Sequence, residues 1–150
     1  MQTAQYEGEM RPLIKWALNR NATSQYAAPP EPYASWVVDL MPEKCRKNMF
    51  YWIGFTTPET ELDGDWVDRF PHTHAKAVGW EGETTSVITY LIAPEAGGEL
   101  GVGGRDENDP YEFIQPKAGL TVIIDALMWH GVKPVMQGAR IALVASGTPQ

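Results

Sequence analysis

The sequence predicts a mainly β domain of short antiparallel strands, preceded by one short helix. Glycine and proline are frequent, with 14 Gly and 12 Pro in 150 residues, so breaks come too often for a bundle of long helices. The segments between these breaks are short and rich in apolar and β-branched residues, as strands are. Hydrophobic residues make up 43% of the chain, enough for one core, and we expect a single domain over residues 1–150.

The first predicted element is a helix from Arg11 to Asn21. Its apolar residues fall mostly along one helical stripe, and Pro12 suits the first turn. The proline-rich segment 27–32 follows, and we expect an extended connector there because each proline lacks an amide donor and restricts the preceding residue. Helix and connector together occupy about residues 1–34, and the predicted β core occupies about residues 35–148.

Six strands are predicted in that core. Residues that favour turns, chiefly glycine, aspartate, asparagine and proline, separate nearly all of them, and this pattern favours mostly antiparallel pairing. The predicted strands are Trp36–Leu40, Asn48–Phe55, Thr85–Ile92, Tyr111–Gln115, Leu120–Asp125 and Arg140–Ser146.

The charge balance and the N-terminus exclude several classes of function. Lysine and arginine number 12 against 19 acidic residues, and the net charge of -7 disfavours a nucleic-acid partner. The first nine residues have neither the basic start nor the apolar stretch of a signal peptide, and no apolar run approaches membrane-spanning length. We therefore expect a soluble, cytoplasmic protein that binds neither nucleic acid nor membranes.

The three histidines of the chain form a candidate metal site. His72 and His74 are two residues apart, so in an extended strand both imidazoles point to the same face. His130 comes 58 residues after His72, shortly behind the predicted strand Leu120–Asp125. Three neutral nitrogen donors suit iron, zinc, copper or nickel and leave coordination positions open for a substrate or oxygen.

Four blocks in the second half carry a resemblance to a known family. They run Thr89-Tyr90-Leu91-Ile92, Gly97-Gly98-Glu99-Leu100, Pro116-Lys117-Ala118-Gly119, and His130 through Arg140. In this order they resemble the Fe(II)/2-oxoglutarate-dependent dioxygenases of the prolyl-hydroxylase type, including small bacterial and phage members, and a phage-encoded member would act in the host cytoplasm. The resemblance covers about Phe70 to Ser146. It implies a double-stranded β-helix, a cupin-like jelly roll with iron at its mouth between two facing sheets.

The resemblance also implies roles for individual residues. His72 is similar to the first metal histidine of the family and His130 to the second. Arg140 is similar to the residue that pairs with the far carboxylate of 2-oxoglutarate, and Tyr90 to a hydrogen-bond donor to the same carboxylate. The implied cofactors are Fe(II), 2-oxoglutarate as co-substrate and O2. The implied activity is hydroxylation of a C–H bond in a peptide or small-molecule substrate.

Arg140 also stands out without the resemblance. It is the charge at the head of an apolar strand, and a charge that enters an apolar barrel needs a partner anion. Its planar guanidinium matches a carboxylate at two points. A turn near Met136–Gly138 would place Arg140 antiparallel to about Lys133, roughly 10 Å from His130.

His74 stands where the resembled family carries an aspartate, and three interpretations follow. The first, which we rank highest, is a metal site of three histidines. In the second, His74 only lines the mouth and Asp68 or Asp125 completes the ligand set, with Asp125 preferred because it ends a strand five residues before His130. In the third, the chain keeps the fold without iron chemistry.

Two alternative functions remain. One is a three-histidine cupin-type metalloprotein, a dioxygenase or isomerase that does not use 2-oxoglutarate, with Glu81 and Glu83 near its histidine pair. The 11 residues from Gly119 to His130 resemble the oxygenases more than a cupin. The other alternative is a non-catalytic jelly-roll binding module.

For a substrate mouth, Trp129 is the favoured tryptophan because it adjoins His130, and segment 56–68 is a candidate flap.

Overall fold

The computed structural model of the chain describes residues 1–19, 27–67, 84–125 and 127–149. Its helices are α1 (Arg11–Asn19) and α2 (Tyr33–Leu40), and a 3-10 turn follows at Glu43–Cys45. The strands are β1 (Gln2–Gln5), β2 (Met49–Thr56), β3 (Leu62–Asp63), β4 (Trp66–Val67), β5 (Thr85–Ile92), β6 (Ala96–Gly97), β7 (Leu100–Val102), β8 (Glu112–Ile114), β9 (Leu120–Asp125), β10 (His130–Val132), β11 (Val135–Gln137) and β12 (Arg140–Gly147). Neither helix in this described part of the chain has the length and apolar character needed to cross a membrane.

The strands form two antiparallel sheets that pack face to face. The larger sheet has five strands in the order β1-β9-β5-β12-β2, and the smaller has three in the order β10-β7-β8. Two further pairs, β11 with β6 and β3 with β4, complete the described strands. Apolar side chains of both sheets share one buried cluster, in which Ile88 and Val122 of the larger sheet meet Leu100 of the smaller.

Strand β12 is buried on both faces because helices cover one side of the larger sheet and the smaller sheet covers the other. Ile141 and Leu143 point to the helical side, where they join the buried cluster that contains Leu13 of α1. The alternate residues Arg140 and Ala142 point toward the smaller sheet. The two faces of one strand therefore serve the core and the cavity separately.

Helix α2 is fixed to the larger sheet by a buried chain of hydroxyl groups. The Tyr33 hydroxyl donates to Thr89 Oγ1 at 2.7 Å, and Thr89 Oγ1 lies 3.0 Å from Thr121 Oγ1. The Tyr33 ring also packs edge-on against Tyr6, with ring centres 5.2 Å apart. Burial raises the pKa of the Tyr33 hydroxyl above its ordinary value, and the hydrogen bond to Thr89 offsets part of that rise.

The short hairpin of β3 and β4 is held against the outside of the smaller sheet by Trp66. A side chain at Gly101 of β7 would come within 3.1 Å of the Trp66 ring, so the glycine makes room for the indole. The Lys133 ammonium lies 4.4 Å from the Trp66 ring centre and 5.8 Å from that of Phe113. This cation–π contact joins the hairpin to the chain that leaves β10.

Most of the predicted elements are confirmed, and one is wrong. The N-terminal helix and five of the six strands are present, with β5 and β9 at the predicted boundaries. Segment Trp36–Leu40, predicted as a strand, is part of helix α2. Its aromatic and β-branched residues favour a strand locally, but Tyr33, Ala34 and Val37 are buried at helical spacing against the larger sheet, and this packing decides the conformation.

We expect Tyr33→Phe to lower the melting temperature at pH 7. The substitution removes one buried hydrogen bond and little volume, so the loss of unfolding free energy should be about 1 kcal/mol, which is roughly 2–4 °C for a domain of this size. Thermal unfolding followed by circular dichroism measures the shift. An unchanged melting temperature would mean that the hydroxyl chain does not stabilise α2.

The same variant should also flatten the alkaline side of the pH–stability curve. In the unfolded chain a tyrosine loses its proton near pH 10, whereas burial keeps Tyr33 protonated to higher pH. The unfolded state then binds fewer protons than the native state, so stability falls as pH rises above about 10. Phenylalanine does not titrate, and its variant should show a shallower fall.

A second expectation concerns the hairpin that Trp66 anchors. Lys133→Met removes the cation but keeps an apolar side chain, so the free energy of opening the hairpin should fall by about 0.5–1 kcal/mol. Backbone hydrogen exchange in β4 should then be roughly two- to fivefold faster. Lys133→Arg retains a cation over the ring and is the matched control. Equal exchange rates in the methionine and arginine variants would show that the cation does not hold the hairpin.

Candidate active site

A cavity of about 590 Å³ opens between the two sheets. Strands β2, β5 and β12 of the larger sheet form one wall, β7 and β10 form the other, and Thr60 and Val67 contribute from the hairpin side. Among the described lining residues the charged or titratable side chains are His130 and Arg140, and none is acidic. The cavity therefore presents one metal-ligating group and one cation within a wall of neutral residues, both polar and apolar.

His130 begins β10 and is held in place by its backbone neighbours. Its side chain is 6% exposed, and Nδ1 lies 2.8 Å from the carbonyl oxygen of Met128. Because a carbonyl only accepts, Nδ1 carries the hydrogen, and in the neutral ring the lone pair lies on Nε2. A hydrogen bond of this type is the usual way in which a protein orients a metal-binding imidazole.

Arg140 begins β12 on the opposite wall and is 4% exposed. Its Nε donates to the carbonyl oxygen of Gly98 at 3.1 Å, and its guanidinium carbon lies 5.1 Å from the Tyr90 ring centre. Within the described ranges no carboxylate forms an ion pair with this guanidinium. A buried cation with one neutral acceptor and no anion is poised to receive one.

The Gly97-Gly98 turn has a steric role beside Arg140. Gly98 has φ +77, a conformation that side chains disfavour, and an added Cβ would lie 3.3 Å from Cδ of Arg140 and 2.9 Å from Cγ of Pro94. Glycine at this position lets the backbone approach the arginine stem closely enough for the hydrogen bond to form.

Tyr90 lies beside the guanidinium, fully buried on β5, and is not among the residues that line the cavity. Its hydroxyl has no hydrogen-bond partner in the described parts of the chain. Burial raises the pKa of this hydroxyl, and the adjacent Arg140 offsets part of the rise, so the group is a neutral donor at physiological pH. A buried unpaired donor costs about 1–3 kcal/mol, and a bound anion would satisfy it.

The prediction that Arg140 lies antiparallel to about Lys133 is wrong. Strand β11 pairs with β6, not with β12, and Arg140 lies opposite Thr56 of β2. The edge near Lys133 is taken by the Gly98 turn, because Lys133 N donates to the Glu99 carbonyl at 2.8 Å and Gly98 N to that of Pro134 at 2.9 Å. Arg140 enters the cavity from the face of the larger sheet instead.

Two of the remaining predicted residues lie outside the described cavity lining. Asp125 does not line the cavity: one carboxylate oxygen accepts from the Leu127 amide at 2.8 Å, and the other pairs with Arg105. Trp129 is also absent from the described lining, and its amide and carbonyl bond to the backbone of the Gly103-Gly104 turn. His72, His74, Asp68, Glu81 and Glu83 lie outside the described residues. In the described part of the chain no three His, Cys, Asp or Glu side chains form a metal-binding group.

Strand β2 supplies cavity residues that sequence reasoning missed. Trp52, Gly54, Phe55 and Thr56 all line the cavity along this strand. They are neutral residues without a motif, and their placement depends on the pairing of β2 with β12, whose residues come about 90 positions later. The available signal was the aromatic character of residues 50–55.

Comparisons with known proteins agree with this architecture. Residues 65–145, more than half of the chain, match the family model of the 2OG-Fe(II) oxygenase superfamily. No curated protein sequence shows significant similarity to the chain.

Solved structures share the fold at low sequence identity. A prolyl-4-hydroxylase from Pseudomonas putida matches with a TM-score of 0.64 and 10% identity, over 99% of this chain and 92% of its own. The viral collagen prolyl hydroxylase of Paramecium bursaria Chlorella virus-1 matches with a TM-score of 0.59 and 16% identity, over 98% and 89%. A 2OG-Fe(II) oxygenase family oxidoreductase from Burkholderia pseudomallei matches with a TM-score of 0.51 and 17% identity, over 91% of this chain and 55% of its own.

These similarities establish the fold as the double-stranded β-helix of these enzymes. The family match extends from the β4 strand through β12 and so includes His130, Arg140 and Tyr90. The chain belongs to the 2OG-Fe(II) oxygenase superfamily.

Proposed function

We propose that this protein is an Fe(II)- and 2-oxoglutarate-dependent oxygenase that hydroxylates a C–H bond of a peptide or small-molecule substrate. One observation carries the proposal. The buried Arg140 guanidinium lies on the cavity wall opposite His130 and has no carboxylate partner in the described residues, and its carbon lies 5.1 Å from the ring centre of Tyr90, whose buried hydroxyl meets no hydrogen-bond acceptor there.

The Arg140 and Tyr90 pair fits the distal carboxylate of 2-oxoglutarate. A guanidinium can donate two parallel hydrogen bonds to a carboxylate, and the neutral phenol can donate a third. Both groups are desolvated before the ligand arrives, so the ligand replaces no water shell on the Tyr90 hydroxyl. This geometry gives the anion a stronger field than it would meet at the surface.

The metal would be held by His130, His72 and His74. His130 contributes through Nε2, because Nδ1 is engaged with Met128. With Fe(II) held there, the site would supply the oxygen activation, coupled to oxidative decarboxylation of 2-oxoglutarate, on which the superfamily's chemistry depends. The protein's own contribution is to place the co-substrate at Arg140 and to surround the site with apolar side chains such as Leu100 and Val132.

The outer part of the cavity is the place for the substrate. Trp52 lines it from β2, on the same face of the strand as Gly54 and Thr56, so it is better placed than Trp129 to contact an incoming molecule. The described lining offers no further cation for a phosphate backbone, and the chain carries a net charge of -7. These features favour a peptide or small molecule over a nucleic acid.

We expect two substitutions to weaken 2-oxoglutarate binding in different ways. Arg140→Gln removes the cation and should raise the dissociation constant about 30-fold or more, because a charged hydrogen-bonded partner is lost. Tyr90→Phe should raise it about 10-fold or more, since a hydrogen bond to a charged group is worth about 1.5–3 kcal/mol. Anaerobic calorimetry on the Ni(II)-loaded protein measures both values.

Tyr90→Phe also separates a binding role from a structural one. Without ligand, the substitution removes a buried hydroxyl that has no described partner, so the melting temperature should stay equal or rise. Succinate release from 2-oxoglutarate by the Fe(II) protein completes the test. A wild-type protein that binds metal but neither binds 2-oxoglutarate nor releases succinate would refute the oxygenase and favour a three-histidine protein that does not use this co-substrate.

The ligand set is tested by metal content. His72→Ala, His74→Ala and His130→Ala should each lower the affinity for Fe(II) or Co(II) by more than about tenfold, and His74→Asp should restore most of it because a carboxylate is an alternative ligand. Asp125→Asn is the control and should keep the metal, since the Asp125 carboxylate is engaged with Arg105 and Leu127. Loss of metal in Asp125→Asn together with full binding in His74→Ala would reverse this assignment.

A further inference from the structure

Gly54 is a mid-strand glycine that neither backbone conformation nor packing requires. It lies in β2, and its φ is outside the left-handed region in which glycine is favoured. Within the described ranges, an added Cβ would meet one atom within 4 Å, Nη1 of Arg140, at an ordinary contact distance of 3.8 Å. By contrast, a Cβ at Gly147 of β12 would lie 2.6 Å from the Cys45 carbonyl oxygen, so that glycine is sterically required.

A glycine inside a strand weakens the strand, and it often marks a place where a ligand approaches the backbone closely. Gly54 pairs with Ala142, and Thr56, two residues along β2, pairs with Arg140. Because side chains alternate along a strand, a side chain at position 54 would point to the cavity face, as those of Arg140 and Ala142 do. Two of the smallest residues therefore lie side by side next to the guanidinium.

The space left by Gly54 is in front of a terminal nitrogen of Arg140. A carboxylate oxygen that accepts from this nitrogen lies about 2.8 Å from it. A methyl group at position 54 remains in ordinary contact with Nη1, whereas the γ carbons of a larger side chain would extend further into the cavity and compete with that oxygen. Among the described residues, no side chain at position 54 covers the space beside this nitrogen.

We infer that Gly54 is a specificity determinant for the co-substrate, because its missing side chain leaves room for the distal carboxylate of a 2-oxo diacid at Arg140. This inference rests on the proposed function. It assigns to position 54 the selection between 2-oxo acids with and without that carboxylate. The side chain at position 54 then controls the size of the acid that the site accepts.

A series of Gly54 variants tests the inference by equilibrium binding to the Ni(II)-loaded protein. The probes are 2-oxoglutarate and 2-oxovalerate, in which a methyl group replaces the distal carboxylate. Gly54→Ala should weaken 2-oxoglutarate binding by less than about threefold, and Gly54→Val by roughly 10- to 200-fold, the range expected for added carbon atoms in a filled pocket. The ratio of the affinity for 2-oxoglutarate to that for 2-oxovalerate should also fall in Gly54→Val.

Thermal unfolding of the same variants without ligand reports on folding. The melting temperature of each variant should equal that of the wild type or be a few degrees higher, since β-branched residues suit a strand better than glycine. Wild-type affinity for 2-oxoglutarate in Gly54→Val, or an equal loss for both acids, would overturn the inference. Failure of the proposed function is distinguishable, because the wild-type protein itself would then neither bind 2-oxoglutarate nor release succinate.

Discussion

The burial of one guanidinium governs the arrangement around the cavity. Arg140 stands at the head of β12, a strand whose other residues form core on one face and cavity wall on the other. Removing a charge from water costs several kcal/mol unless polar partners replace the lost hydration. Two contacts in the described residues offset part of that cost: the Gly98 carbonyl accepts from Arg140 Nε at 3.1 Å, and the Tyr90 ring centre lies 5.1 Å from the guanidinium carbon.

The central strands explain how the site stays in register with the core. Strand β12 pairs with β2 on one side and β5 on the other along almost its whole length. A shift of one residue would exchange the two faces, move Arg140 into the helical core and expose Leu143 to the cavity. Packing of α1 and α2 against Leu143 therefore also holds the position of Arg140. The helical layer and the cavity are linked through a single strand.

The fold, and the presence of His130 and Arg140 at one cavity, could be predicted from the sequence, but the contacts that position these residues could not. Apolar runs bounded by turns located β5, β9 and β12, because a strand covered on both faces needs continuous apolar residues. The helix at Tyr33–Leu40 was missed since its local preference opposes its packing. Arg140 was singled out correctly as a buried charge, yet its pairing with Thr56 depends on residues 84 positions away. Gly54 carries no side chain, so its role is visible only once Arg140 lies beside it.

Because the Tyr90 hydroxyl is unsatisfied without a ligand, binding of an anion there would raise the free energy of unfolding. A molecule that binds only the native state stabilises it by RT ln(1 + [L]/Kd), about 2.7 kcal/mol when its concentration is 100 times Kd. With an unpaired donor and a cation in its core, the unliganded fold begins at a disadvantage that an anion removes. The fraction of molecules that unfold, and with it the rate of proteolysis in a cell, would then follow the supply of the co-substrate. If the proposed co-substrate binds at Arg140, the stability of the protein would therefore rise with the concentration of that co-substrate.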